Sequence, residues 1–250
     1  MDNEPYIEIY KRFCKLATTD GTIFKAFKSH PDYVPMLEHV SPSQGFDYLK
    51  IIQDRNPTLL EHMEKFREND KLGSPNTTEY RNVGVISPTT LRYVKTLSDM
   101  MEMFETLDDE TIIELGAGYG GQCKIISCVF NPKSYTIVDL PEVVGLINRY
   151  LAENKVPQAK AITLEQIPDQ TWGLFISNYA FTELPIELQR IYIEKVINKC
   201  THGYITCNFT SEDCGVSSLS KTELLSEIKH ECIELEEFPK THPKNCMLVW

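Results

Sequence analysis

Residues 111–121 read Thr-Ile-Ile-Glu-Leu-Gly-Ala-Gly-Tyr-Gly-Gly, an apolar run that carries the carboxylate of Glu114 and then turns through closely spaced glycines. Gly116, Gly118 and Gly120 leave out the Cβ where a ligand must lie on bare backbone. The helix expected from 120 to 130 aims its unsatisfied N–H groups at the same place. The pattern is that of a cofactor-binding loop, with Glu114, Gly116, Ala117, Gly118, Tyr119 and Gly120 as candidate contacts. Further along, Tyr135-Thr-Ile-Val-Asp139 is a second apolar strand ending in a carboxylate. Asp139 is placed to accept hydrogen bonds from two ribose hydroxyls, with Leu140 beside it.

Two cofactors compete for this loop. Gly116, Gly118 and Gly121 satisfy the spacing of the dinucleotide fingerprint, a weak signal on its own. Glu114 argues against a pyrophosphate, because like charges in a partly dry crevice repel by an amount on the order of kcal/mol. S-adenosylmethionine carries no phosphate, and its ammonium and sulfonium suit an acidic neighbour. A dinucleotide fingerprint also usually opens its domain, whereas here the first strong strand begins at Thr111. A glycine turn that binds nothing and a nicotinamide enzyme are the remaining alternatives.

The elements that position these residues follow from periodicity. Strands are expected at 111–115, 135–139, 160–164, 173–177, 203–208, 231–236 and 245–250, with helices at 120–130, 142–153, 186–199 and 220–229. Strands separated by helices imply right-handed crossovers and a mostly parallel sheet covered on both faces. The chain is therefore expected to be α/β, with a Rossmann-like seven-stranded sheet over 106–250 and a helical N-terminal region over 1–105. In that region Tyr6, Ile9, Tyr10, Phe13 and Leu16 keep helical spacing, and no strand alternation is read. Ser87 and Pro88 open a further helix that runs to about Phe104. Over a doubly wound sheet the ligand lies at the carboxyl ends of the strands. That gathers Glu114, Asp139 and Ser177 around one crevice, with Glu165 and Gln166 turned toward an adenine amino group.

Composition narrows the partners. Apolar residues make up 42% of the 250, enough to fill a core, and the net charge of −11 disfavours a nucleic-acid substrate. The start of the chain has no basic leader, and no stretch approaches the roughly 20 apolar residues of a membrane span. A cytoplasmic protein is expected. The eight cysteines read as reduced core residues. A zinc site from Cys200, His202 and Cys207 lacks a second ligand pair.

Several passages occur together: Ile86-Ser-Pro-Thr-Thr-Leu-Arg-Tyr93, Glu114-Leu-Gly-Ala-Gly-Tyr-Gly-Gly-Gln-Cys-Lys124, Val138-Asp-Leu-Pro-Glu142, Ile176-Ser-Asn-Tyr-Ala-Phe-Thr-Glu-Leu184 and Lys240-Thr-His-Pro-Lys-Asn245. The glycine loop and Asp139 resemble motifs I and II of class I S-adenosylmethionine-dependent methyltransferases. As a set, over roughly residues 75 to 250, the passages resemble the bacterial sugar O-methyltransferase family. The resemblance implies a class I methyltransferase fold and methyl transfer from S-adenosylmethionine, leaving S-adenosylhomocysteine. The implied acceptor is a hydroxyl of a sugar or nucleotide-activated sugar in capsule or other surface-glycan synthesis.

Methylation of a sugar hydroxyl needs in-line positioning and a group that takes up the proton. Glu183, just beyond the fourth strand, and His242, before the last one, are the candidate bases. Asn178 and Tyr179 are candidate acceptor contacts, and Arg92 could hold the cofactor carboxylate or a substrate phosphate. Each has a plain structural alternative: a helix cap, a surface loop, packing or a salt bridge. Mg²⁺ held by Asp213, Glu183 and His242 is conceivable but no ligand spacing supports it. The N-terminal helices could cap the crevice or pair subunits in a homo-oligomer. Methylation of a non-sugar acceptor, such as a phosphoryl-type capsule modification, an NAD-dependent sugar reductase and a catalytically silent cofactor-binding partner remain open.

Overall fold

The computed structural model describes residues 5–211 and 215–250. Its N-terminal region contains α1 (Tyr6–Thr19), α2 (Gly21–Ala26), α3 (Val34–Leu37), α4 (Pro42–Arg55), α5 (Met63–Phe66), a small hairpin of β1 (Thr78–Tyr80) and β2 (Gly84–Ile86), and α6 (Pro88–Met103). The helix starts are chemically marked. Asp20 accepts the N–H groups of Thr22 and Ile23 at the head of α2, and Ser41 and Gln44 form a reciprocal capping box on α4. Ser87 accepts the Thr89 N–H at the head of α6, with Pro88 in its first turn. The hairpin corrects the expectation that this region holds no strand. Its strands are three residues long, too short for an alternation to register.

Beyond the hairpin and α6 come β3 (Thr111–Leu115), α7 (Gly121–Ile126), β4 (Ser134–Val138), α8 (Pro141–Glu153), β5 (Ala159–Ile162), β6 (Trp172–Asn178), α9 (Ile186–Lys195), β7 (Cys200–Asn208), α10 (Lys221–Glu227), β8 (Ile233–Glu236) and β9 (Asn245–Val249). Among the described residues, seven strands make one sheet in the order β5-β4-β3-β6-β7-β9-β8. It is parallel except at β9, which runs antiparallel to both its neighbours. This is the expected Rossmann-like, seven-stranded α/β sheet.

Alternate residues of the strands feed two cores. Ile112, Ile137, Leu174, Ile176 and Tyr204 join a cluster that also contains Phe13, Phe27, Phe66 and Leu97 of the N-terminal region. Ile113, Leu115, Phe175, Ile205 and Leu248 pack instead with residues of α9 and α10. The core of the N-terminal helices is thus continuous with one face of the sheet. Helix α1 is pinned onto α8 by Arg149, whose Nη1 donates to the carbonyls of Ala17, Thr18 and Asp20 at 3.0, 3.0 and 3.3 Å. The same guanidinium lies 4.0 Å from the Phe24 ring centroid. Gly145 lets the two helices approach, since a Cβ there would lie 2.6 Å from Thr18 Cγ2.

No helix among the described residues is long and apolar enough to cross a membrane. The described cysteines are free thiols, most of them buried. Cys214 lies outside the described residues.

Candidate active site

Strand order reverses beside β3, which pairs with β4 on one side and β6 on the other, and the crevice expected at such a switch point is present. It is a cavity of about 940 Å³ over the carboxyl ends of β3, β4, β6 and β7. Its other wall comes from the N-terminal region, through residues such as Ile7 and Tyr10 of α1, Leu37, Tyr48 and Arg92.

The half expected to take the cofactor is built by two neighbouring strand ends. Gly116 and Gly118 adopt φ of 72° and 64°, a left-handed backbone that glycine takes without steric cost. Gly118 meets the N-terminal wall directly, because a Cβ there would lie 2.2 Å from Leu37 Cδ1. Glu114 is buried and lines the cavity, and Tyr135 Oη donates to its Oε2 at 2.8 Å. Burial outweighs that bond and raises the Glu114 pKa to about 8, with Asp139 as a further negative neighbour. Asp139 Oδ1 accepts the Leu140 N–H at 2.8 Å. Burial raises its pKa to about 7 against the pull of the Leu140, Gly118 and Ala117 N–H groups. Asp139 Oδ2 is nonetheless left buried without a partner within hydrogen-bond geometry. An unpaired buried carboxylate oxygen costs on the order of 1–3 kcal/mol or more, which an arriving hydrogen-bond donor would recover.

Of the other residues expected around the cofactor, Ala117, Leu140, Glu165 and Arg92 line the cavity, whereas Tyr119, Gly120, Gln166 and Ser177 do not. Each of the four has a structural task. The Tyr119 ring turns under the loop, against Phe27, Tyr93 and Tyr150, with Lys28 Nζ 4.2 Å from its centroid. Gly120 supplies the left-handed cap of α7, at φ 92°. Gln166 Oε1 closes a capping box on the Thr163 N–H. Ser177 is fully buried, donating to the Leu115 carbonyl and accepting the Phe181 N–H, so it ties β6 to β3.

The half that holds the expected acceptor contacts draws on distant segments. Glu183 lines the cavity as an exposed residue, its Oε1 accepting from Asn208 Nδ2 at 2.5 Å, and desolvation of its carboxyl raises its pKa. His242 is exposed at the cavity wall, and its Nδ1 accepts the Lys244 N–H at 3.2 Å. That bond uses the lone pair of the neutral ring, so the free nitrogen is a donor and His242 is poorly set as a base. Arg92 extends from α6 and donates to the Leu37 carbonyl at 3.1 Å. Asn178 and Tyr179 both line the cavity. Tyr179 carries φ 68°, an uncommon backbone for a bulky residue, held by its N–H to the Thr206 carbonyl at 2.8 Å.

Sequence reasoning did not single out Glu237. This carboxylate is 3% exposed, lines the cavity and accepts from Tyr179 Oη, the Thr241 backbone and hydroxyl, and Asn245 Nδ2. The only sequence signal was the passage Lys240-Thr-His-Pro-Lys-Asn245, which supplies two of its three partner residues. Among the described residues no group of three His, Cys, Asp or Glu is gathered to hold a metal ion. Asp213, considered for Mg²⁺, lies outside the described residues.

No protein-family model matches the chain, and no curated protein matches it in sequence. Solved structures similar in fold include a candidate sarcosine dimethylglycine methyltransferase from Galdieria sulphuraria, 17% identical with TM-score 0.47, over 59% of this chain and 64% of that one. The N-methyltransferase NodS from Bradyrhizobium japonicum WM9, in complex with S-adenosylhomocysteine, is 14% identical with TM-score 0.48, over 63% of this chain and 83% of NodS. An rRNA methylase from Streptococcus thermophilus is 14% identical with TM-score 0.45, over 63% and 95%. This chain spans less than two thirds of the length of the Galdieria protein.

Proposed function

We propose that this protein is an S-adenosylmethionine-dependent O-methyltransferase whose acceptor is a sugar or nucleotide-activated sugar used in surface-polysaccharide synthesis. The observation that carries the cofactor assignment is Asp139 Oδ2, a buried acceptor without a partner beside a glycine loop whose neighbouring acid is Glu114. Asp139 would hold the ribose hydroxyls. Glu114 would face the ammonium, whose charge favours the ionised carboxylate. Arg92 would meet the carboxylate, and Glu165 the adenine. Bound S-adenosylmethionine supplies a methyl group on a cationic sulfur.

The rest of the cavity suits a polyhydroxylated acceptor. Asn178, Thr206, Asn208 and Glu183 present amide, hydroxyl and carboxylate groups, and the aromatic residue Tyr48 lines the same cavity. Glu183 and His242, on the exposed rim, would contact the acceptor as it enters. The N-terminal wall would exclude water from the transfer. The acceptor class is tested by incubating the protein with methyl-labelled S-adenosylmethionine and separate panels of free hexoses, nucleoside-diphosphate hexoses and phosphorylated non-sugar alcohols. Label in a hexose panel is the expected result. Label confined to the non-sugar panel would overturn the sugar assignment while leaving the methyltransferase one.

A further inference from the structure

Glu237 is the most enclosed carboxylate of the acceptor half, and the roles assigned so far leave it unused. Its Oε1 accepts from Tyr179 Oη and from Thr241 Oγ1 at 3.0 Å. Its Oε2 accepts the Thr241 N–H at 2.8 Å and Asn245 Nδ2 at 3.0 Å. Asn245 Nδ2 also donates to Thr241 Oγ1 at 2.8 Å, so the loop between β8 and β9 wraps the carboxylate from three sides. A carboxylate has about four lone-pair positions, and these donors occupy them. Glu237 therefore has no lone pair to offer a substrate directly. Tyr179 does: its hydroxyl spends its single proton on Glu237, and the phenol oxygen keeps its acceptor capacity while the residue lines the cavity.

Three further features belong to the same arrangement. Tyr179 stands directly after β6, and its positive φ is a strained backbone of the kind that persists where the surroundings enforce it, often at a reaction site. Burial and the Glu237 charge push the Tyr179 phenol well above its ordinary range, so it holds its proton at rest, while the Arg92 charge pulls the other way. Asn245 Oδ1 is a buried acceptor without a partner beside the pair, ready for an O–H of a ligand. By contrast, His242 uses its neutral lone pair on the Lys244 N–H, and Glu183 sits on the exposed rim.

We propose that Tyr179 and Glu237 form the proton relay of the transfer, with Tyr179 as the catalytic residue touching the acceptor hydroxyl and Glu237 as the positioning residue behind it. The relay rests on the methyltransferase assignment. The acceptor oxygen gains the methyl carbon and gives its proton to Tyr179 Oη. The phenol's own proton moves to Glu237 Oε1, and the electron pair of the broken sulfur–carbon bond stays on sulfur. Tyr179 ends as it began, and Glu237 releases its proton to solvent when product leaves.

The test uses the full chain as wild type, Tyr179→Phe, Glu237→Gln, the double variant and Glu183→Gln. Each is assayed with S-adenosylmethionine and pooled free and nucleoside-diphosphate hexoses, and each is titrated with S-adenosylhomocysteine. The expected result is a loss in kcat of about 100-fold or more for Tyr179→Phe and Glu237→Gln, with cofactor affinity within about twofold of wild type. The double variant is no worse than either single one, since one relay is lost only once. Glu183→Gln loses less than both. Independently of turnover, the 13Cζ resonance missing from Tyr179→Phe shifts in Glu237→Gln. Retention of kcat in either variant, multiplied losses in the double variant, or an unshifted resonance overturns the relay. So does wild-type protein that binds S-adenosylhomocysteine but methylates no hydroxyl in the pool. Failure of wild type to bind S-adenosylhomocysteine would instead contradict the methyltransferase assignment itself.

Discussion

The two halves of the cavity are assembled in different ways. The proposed cofactor half comes from two adjacent strand ends, where Glu114, the glycines and Asp139 lie within 26 residues of one another. The proposed acceptor half joins α6, the end of β6, the end of β7 and the loop between β8 and β9, so Arg92 and Asn245, far apart in the chain, line one cavity. One half is fixed by local backbone geometry. The other exists only once the sheet has closed and β9 has inserted between β7 and β8. A ligand site of local origin should fail through backbone strain, and one of long-range origin through loss of a single side-chain contact.

That contrast fixes the order of expected effects. The largest belongs to Gly116→Ala. The new Cβ would lie 2.2 Å from Ala180 Cβ at φ 72°, and left-handed backbone alone costs about 1–2 kcal/mol for an L-residue. S-adenosylhomocysteine affinity should fall by more than about tenfold and the denaturant midpoint should drop, both readable from one purified variant. Wild-type behaviour in both would mean that the loop is not the cofactor cradle.

Asp139→Ala comes next. It should weaken S-adenosylhomocysteine binding by about 1–3 kcal/mol while leaving the ligand-free protein no less stable, because the carboxylate it removes is buried and half unpaired. Calorimetry beside a denaturant titration separates these quantities. Destabilisation without an affinity loss would show a structural aspartate.

Arg149→Ala removes three bonds to carbonyls of the α1–α2 junction and should cost about 1–3 kcal/mol. Its mark is local: earlier proteolysis within α1, with the sheet protected from hydrogen exchange as before. Equal loosening of the sheet would contradict the pinned-helix description.

The least localised effect is a pH trend. Burial places Glu114 at about 8 and Asp139 at about 7 in the ligand-free protein, above their unfolded values. Their stabilising contribution is complete below about pH 4 and is lost as pH rises through about 7 to 8. Cofactor binding favours the ionised forms, so S-adenosylhomocysteine affinity should tighten between about pH 6 and 8. Glu114→Gln should flatten that slope, and an affinity that weakens toward pH 8 would rule out the proposed electrostatics.

What was legible in the sequence follows the same division. The strand positions, the Ser87 cap and the switch-point crevice came from periodicity and capping chemistry, which act over a few residues. The β1–β2 hairpin was missed because three-residue strands carry no period. Helix α7 stops at Ile126 and α9 at Lys195, each short of the expected end, because tight turns at 127–129 and 197–199 replace the last helical turn. Tyr119 was misplaced for a subtler reason. In a loop of alternating positive φ the side-chain direction does not follow strand or helix parity, and an aromatic cage around Lys28 draws the ring away from the cavity. Glu237 was not legible because its partners arrive from β6 and from the far side of a loop, with no fixed spacing to reveal them.

The most direct test of the cofactor half is calorimetric titration of the purified full chain with S-adenosylhomocysteine, run beside NADH. Binding of S-adenosylhomocysteine in the micromolar range, with NADH silent and the response weakened in Asp139→Ala, is the predicted result. Binding of NADH alone would contradict the role given to Glu114 and, with it, the methyltransferase assignment.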